Sequence, residues 1–254
     1  MKASLDDRIA RATELAKTHP SASELLVFYR ELAQFQKSIY EELLSSGQTD
    51  LHALLRHFPA LLKLLRRAGP DLLAGFGAEY LESPDDQWTL LTESWESPAR
   101  ICPTYGEEGR FYARVLLQPF AEHLALRTKT DMDLTTEVCP FCSARPVAGV
   151  MRGEGDGAKR WLLCSLCSTE WPFLRVVCPN CGEQNKELLP VYTASEFDYV
   201  RVEACDQCKT YIKSIDLTRD GHAVPVVDEL ATVALNIWAD EHGYTKLESN
   251  LLGL

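Results

Sequence analysis

The chain has 254 residues, of which 26 are basic and 37 acidic, for a formal charge of −11. That length exceeds what one hydrophobic core usually organises, so more than one domain is expected. The acidic excess runs through both halves, with 15 basic against 21 acidic residues before Cys139 and 11 against 16 after it. It disfavours non-specific binding to nucleic acid or anionic membranes, and no apolar run reaches the roughly 18 residues of a membrane span.

Met1 to Leu26 is charged and interrupted, without the apolar core of a secretory signal, which points to a reducing compartment. Residues 1–133 read as a helical domain. Ser21-x-x-Glu24 reads as a capping box, and behind it Leu25, Phe28, Tyr29, Leu32, Phe35, Ile39 and Leu43 recur at three- and four-residue steps up to Gly47. Leu51, Leu54, Leu55 and Phe58 start a second helix, which Pro59 breaks or restarts and which runs on to Gly69-Pro70. Asp71 to Leu81, Asp85 to Trp95 and Gly109 to Arg127 supply further helices, the last kinked at Pro119. These stripes are the pattern of a bundle core rather than a cofactor box, and His52, His57 and His123 beside them read as structural. Cys102, before Pro103, reads as a small buried hydrophobe.

Eight of the nine cysteines form four Cys-x-x-Cys pairs: Cys139/Cys142, Cys164/Cys167, Cys178/Cys181 and Cys205/Cys208. A two-residue spacer lets the backbone turn both sulfurs toward one ion, and two such knuckles complete a tetrahedron, so the count implies two tetrathiolate metal sites. The intervals agree, with 21 residues between Cys142 and Cys164 and 23 between Cys181 and Cys205. Disulfides suit a reducing cytosol poorly. A thioredoxin-type redox role calls for one such pair at a helix start rather than four in tandem.

The cysteine region also repeats itself. Val138-Cys139-Pro140-Phe141-Cys142 aligns with Val177-Cys178-Pro179-Asn180-Cys181 at an offset of 39, and Cys164 with Cys205 at an offset of 41. Between the knuckles, Pro146 to Met151 and Lys159 to Leu163 read as a first hairpin, Leu188 to Thr193 and Tyr199 to Ala204 as a second. In the second hairpin Val200, Val202 and Ala204 alternate with Arg201 and Glu203, one face apolar and the other wet. Knuckle, hairpin, knuckle is the plan of a rubredoxin or zinc ribbon, in which the metal supplies folding free energy on the order of 10 kcal/mol. The fold class expected is therefore α+β: a helical domain (1–133), a first metal ribbon (134–175), a second (176–220), and a C-terminal helix with its tail (221–254). Sequential pairing of the knuckles is favoured, although the ten residues between Cys167 and Cys178 leave interleaving open. Thr210 to Asp216 reads as a strand, Val226 to Glu241 as one final helix docking back, and Asn250 to Leu254 as a frayed tail.

Trp161-Leu162-Leu163-Cys164-Ser165-Leu166-Cys167-Ser168-Thr169-Glu170-Trp171, then Arg175 and Cys178-Pro179-Asn180-Cys181, resembles the FdhE family of formate dehydrogenase accessory proteins. So do Cys205-Asp206-Gln207-Cys208-Lys209-Thr210-Tyr211-Ile212-Lys213 and the stretch from Asp228-Glu229-Leu230-Ala231 to Gly243-Tyr244. The resemblance covers roughly residues 137–250. One departure is Ser143 after the first knuckle, where glycine would suit a left-handed turn as Gly182 does after the third.

The resemblance implies a cytoplasmic, non-catalytic factor that binds the catalytic subunit of formate dehydrogenase during its maturation. It implies iron at the eight paired cysteines, with zinc as the alternative. Glu170, Trp171, Arg175, Asp206, Thr210, Tyr211 and Lys213 match its motifs. Singly these residues read as structural, with Trp171 and Tyr211 shielding a site and Lys213 or Arg175 offsetting its charge. Together they read as a partner-binding patch. Rival readings are a zinc-ribbon nucleic-acid or transcription module, which the acidic balance speaks against, and a small rubredoxin-like electron carrier. Whether the helical half forms a homo-dimer is open.

Overall fold

The computed structural model describes residues 3–128, 136–155 and 157–254. The expected boundary at 133/134 lies outside the described residues.

Eight α-helices and a seven-stranded mixed sheet make up the described chain. α1 (Leu5–Thr18) opens on a capping box in which Ser4 and Asp7 satisfy each other's backbone N–H groups, a signal that sequence reading missed. α2 runs over Ser23–Ser46 and ends at Gly47 in the left-handed conformation. Its start differs from the expected capping box at Ser21. A 3-10 turn at Pro20–Ala22 leads in, and no side chain caps the helix. Pro59 acts as a restart: Leu51–His57 is 3-10, and α3 (Phe58–Ala68) begins with the proline in its first turn, where the missing N–H costs nothing. α4 (Asp71–Tyr80), α5 (Pro84–Glu96) and α6 (Gly106–Ala125) follow, with Pro119 inside α6. α2 packs against α1 and α6, and Tyr29, Leu32, Ile39, Phe58, Tyr112 and Phe120 are buried in that core. Cys102 is buried here too, as expected.

In the ribbons, β1 (Pro146–Glu154) and β2 (Gly157–Cys164) form the first hairpin, with a third strand, β3 (Glu170–Pro172), beyond the second knuckle. The second ribbon repeats the pattern with β4 (Val191–Thr193), β5 (Val200–Cys205) and β6 (Thr210–Asp216). The strand order is β3-β2-β1-β6-β5-β4, so the first strand of one ribbon pairs in parallel with the last strand of the other. The two units are thus one continuous sheet. Gly149 lies opposite Ser214 at that seam, and a Cβ there would sit 2.0 Å from Ser214 Oγ and 3.1 Å from its Cβ, so glycine lets the strands approach with the Ser214 side chain in place. β3, three residues long, and the two-residue β7 (Thr245–Lys246) are too short for alternation to reveal.

The expected single final helix is two: α7 (Pro225–Ala231) and α8 (Val233–Glu241), interrupted at Thr232. The break has a cause in the buried Lys213, which donates to the Thr232 carbonyl and hydroxyl oxygens at 3.2 Å and so takes acceptors from the helix turn. α8 covers the sheet face made by Val150, Val200, Val202 and Ile215, while α7 sits between the sheet and α1 and α2. The tail is not frayed. Asn250 and Leu251 are buried, and Asn250 Nδ2 donates to Glu229 Oε2 at 2.8 Å.

Buried ion pairs join the helical half to the rest. Arg11 of α1 holds Asp228 of α7 (2.7 Å) and Asp220 (2.8 Å), and Arg110 and Arg114 of α6 converge on Glu248. Glu229 takes the ammonium groups of Lys213, at 2.9 Å, and Lys246. Burial would raise the Glu229 carboxyl, but the two lysines outweigh it and hold it at about 2, while burial pushes Lys213 down to about 8. A carboxyl held below its ordinary 4.5 contributes stability that is complete above that pH and is lost as pH falls through about 2. Glu229→Gln should therefore cost about 3–5 kcal/mol at neutral pH by leaving Lys213 buried and unpaired. The gap to wild type should narrow between pH 4.5 and 2 in guanidinium unfolding.

Candidate metal centres

Each knuckle is a tight turn built from main-chain hydrogen bonds. In the first, Ser143 N–H donates to the Cys139 carbonyl and Cys139 N–H to the Ala144 carbonyl, both at 2.9 Å. The third is the same, with Gly182 N–H on the Cys178 carbonyl at 3.0 Å and Cys178 N–H on the Glu183 carbonyl at 2.9 Å. All four turns place the residue after the second cysteine at positive φ: Ser143 at 59°, Ser168 at 52°, Gly182 at 74° and Lys209 at 55°. The departure at Ser143 therefore leaves the turn intact. It costs the strain of a left-handed side-chain residue, about 1 kcal/mol.

The turns bring the cysteines together in sequential pairs of knuckles. Cys139, Cys142, Cys164 and Cys167 form one group and Cys178, Cys181, Cys205 and Cys208 the other, with all sulfurs of a group within 4.8 Å of one another. Cys142 Sγ lies 3.4 Å from Cys164 Sγ and 3.6 Å from Cys167 Sγ, and Cys139 Sγ lies 3.5 Å from Cys167 Sγ. In the second group Cys178 Sγ to Cys208 Sγ and Cys181 Sγ to Cys205 Sγ are both 3.7 Å. A tetrahedron of thiolates about 2.3 Å from a central ion has edges of about 3.8 Å, whereas a disulfide would need about 2.05 Å. The donor set and the spacing fit a metal ion in each group. All nine cysteines are free thiols.

Crowding four sulfurs without a cation pulls their acidities apart. Cys139 is lowered by hydrogen bonds from Cys142, Cys164 and Cys167, while Cys142 is raised by the hydrogen bond it gives Cys139. Cys164 is raised first by burial and then by its sulfur neighbours. One thiolate in the cage thus suppresses the next, and only a cation lets all four ionise. Main-chain donors already face the sulfurs: Leu166 N–H and Cys167 N–H reach Cys164 Sγ at 3.3 and 3.4 Å, and Asn180 N–H reaches Cys178 Sγ at 3.4 Å.

The two centres differ in surroundings. The first is pressed onto α6: Gln118 Nε2 donates to the Ser165 carbonyl at 2.9 Å and Ser168 Oγ to Glu122 Oε1 at 2.8 Å, and three of its cysteines are buried. The second lies away from the bundle, with Cys181 exposed and Cys208 half-buried. Of the motif residues, Trp171 is fully buried with Nε1 on the Thr136 carbonyl, Tyr211 is buried, and Lys213 is committed to Glu229 rather than to a centre. Glu170 is held by Arg152 at 2.8 Å, and Thr210 Oγ1 lies 3.1 Å from Cys208 Sγ. Arg175 is exposed whereas Trp171, Tyr211 and Lys213 are buried, so the motif residues do not form one surface patch.

Two outcomes follow from this geometry. Ser143→Gly should raise stability by about 1 kcal/mol in denaturant unfolding, because glycine adopts the left-handed turn without strain. Metal-loaded protein challenged with a chromogenic chelator should release its ions in two phases of equal amplitude, and Cys181→Ser should abolish the fast one.

Comparison with known proteins agrees with this architecture. Residues 138–175 match "FdhE, central domain" and residues 176–252 match "FdhE, C-terminal domain", with the boundary between the two ribbons. A "Protein FdhE homolog" of Aquifex aeolicus is 28% identical over 96% of this chain and 93% of its own length. Another from Pseudomonas aeruginosa is 37% identical over 80% of this chain and 65% of its own length. The crystal structure of the FdhE protein from Pseudomonas aeruginosa superposes with a TM-score of 0.71 over 99% of this chain and 97% of that one, at 24% identity, and so shares the fold. With both family domains present in order and FdhE homologs matching along most of its length, the chain belongs to the FdhE family.

Proposed function

We propose that this protein is an accessory factor for the maturation of formate dehydrogenase, acting in the cytoplasm by binding that enzyme's catalytic subunit without turnover of its own. The observation that carries the reading is a pair of tetrathiolate cages at metal spacing inside a chain of the FdhE family. In this reading Cys139, Cys142, Cys164 and Cys167 hold one ion and Cys178, Cys181, Cys205 and Cys208 the other, iron being preferred to zinc. Iron held by four thiolates supplies a ferrous/ferric couple, whereas zinc supplies only rigidity. The residues around the cages orient and stabilise them: Thr169 and Thr210 hydroxyls lie 3.1 Å from Cys167 and Cys208, and the knuckle N–H groups offset thiolate charge. No described helix is long and apolar enough to cross a membrane.

A second reading has its own support. The exposure of Cys181 gives the second centre an outer edge through which an electron could pass to a partner, as a rubredoxin-like carrier requires. The nucleic-acid reading loses ground, because Arg160 and Arg201 on the ribbon face are neutralised by Glu203 at 2.7 Å and Asp216 at 2.9 Å.

Deleting the gene should abolish formate dehydrogenase activity, and the eight-cysteine protein should restore it where a variant with all eight changed to serine does not. Unaltered activity in the deletion strain would sink the accessory role. Metal analysis with a visible spectrum of anaerobically purified protein should give two iron ions per chain and the colour of a ferric tetrathiolate. Two zinc ions and no colour would remove the electron-transfer reading and leave a structural one.

A further inference from the structure

The wet face of β5 does not lie open to solvent. It forms the floor of a cavity of about 430 Å³ at the seam between the ribbons, roofed by the linker from Arg175 to Pro179 and bounded by the second centre at Cys178 and Cys205. That volume lies in the range of recognition sites, which favour such junctions. Much of its lining is apolar, including Met151, Val177, Leu189 and Leu247, and two apolar residues at its lips are exposed, Val176 at 38% and Val191 at 54%.

Four cations and one carboxylate also line it: Arg160, Arg175, Lys186, Arg201 and Glu203. Two of the cations are spent within the fold. Arg160, 2% exposed, donates to the Leu174 and Val177 carbonyls at 3.1 and 3.0 Å and pairs with Glu203, although its Nε has no hydrogen-bond partner among the described residues. Arg201 pairs with Asp216. The other two are not spent. Arg175 and Lys186 are exposed and make no ion pair among the described residues, and the hydrogen bond Arg175 makes is one of 3.5 Å to the Ala158 carbonyl. In a chain of net −11, these two unpaired cations flank an apolar recess.

The same place offers main-chain pairing. β4, whose Val191 lines the cavity, is the outer strand of the sheet and is bonded to β5 on one side, so its other edge is available to an extended chain. A metal-loaded tetrathiolate keeps a residual charge of about −2, so carboxylates of a ligand belong at the cationic lips and an apolar side chain belongs inward.

We propose that this recess docks an extended acidic segment of the client, the formate dehydrogenase catalytic subunit, whose apolar side chain enters the cavity while its carboxylates meet Arg175 and Lys186. This inference rests on the accessory-factor reading and names the contact surface. Exposed cations at the rim act chiefly through encounter and salt-dependent affinity, and the filled recess provides the anchor.

The test uses the full-length, metal-loaded protein and the purified catalytic subunit of formate dehydrogenase, titrated at low and physiological salt. Wild type should bind, more weakly as salt rises. The double variant Arg175→Glu/Lys186→Glu should lose about tenfold or more in affinity, as should Val191→Glu, with metal content and circular dichroism unchanged. Lys63→Glu/Arg100→Glu, the same charge change on exposed positions of the helical half, should stay within about twofold. Wild-type affinity in both rim variants would overturn the inference and leave the accessory role standing. Loss of metal from the double variant would also overturn it, by making these cations counter-charges of the second centre. Absence of binding by the wild type would sink the accessory reading itself, and this inference with it.

Discussion

Parallel pairing of β1 with β6, at Gly149 opposite Ser214, is the contact on which the arrangement of the ribbons depends. A metal ribbon of this size buries too little apolar surface to stand firmly by itself. Joining the first strand of one ribbon to the last of the other makes a sheet with two usable faces. One accepts α8 and, through Lys213 and Glu229, the end of α7; the other meets the bundle core at Leu162 and Ile212, and part of it floors the recess beside the second centre. A side chain at residue 149 would displace the Ser214 hydroxyl and crowd its Cβ.

The helical half meets this sheet through charge as well as through apolar contact. Across that junction Arg11 pairs with Asp228, and Arg110 and Arg114 with Glu248, almost wholly withdrawn from water, as are Lys213 and Lys246 with Glu229 within the C-terminal part. Such pairs recover their desolvation cost only when geometry is good and every remaining polar atom is satisfied. They add little net stability but penalise any docking in which one partner is left bare. The result is a fixed orientation of α6 against the first centre, which is buried for that reason, and a second centre that stays at the edge.

Several features were legible before the structure because they are local. The amphipathic stripe from Leu25 to Leu43, the restart at Pro59, the alternation of Val200, Val202 and Ala204, and the four knuckles each depend on residues a few positions apart. Other features were misread where long-range contacts outweighed local preference. Lys213, a strand residue, takes the carbonyl of Thr232 and splits the last helix, and Glu229 anchors a tail that composition marks as free. Trp171, Tyr211 and Lys213 share motifs with Arg175, but period-two strands and the fold behind them turn the first three inward and leave Arg175 at a rim.

What the sequence by itself determined is the number and spacing of the sulfurs, the duplicated ribbon plan, and the α+β class, since each follows from short-range geometry: a two-residue spacer, a hairpin, a helical repeat. The tertiary structure decided what neighbours what. It paired the knuckles in order, fused two ribbons through a parallel seam, buried one centre and left the other open at Cys181 and Cys208, and left Arg175 and Lys186 without an ion pair among the described residues beside an apolar recess. Those outcomes rest on contacts between residues tens to hundreds of positions apart, whose energies depend on burial and on close approach at single atoms, quantities that no local pattern encodes.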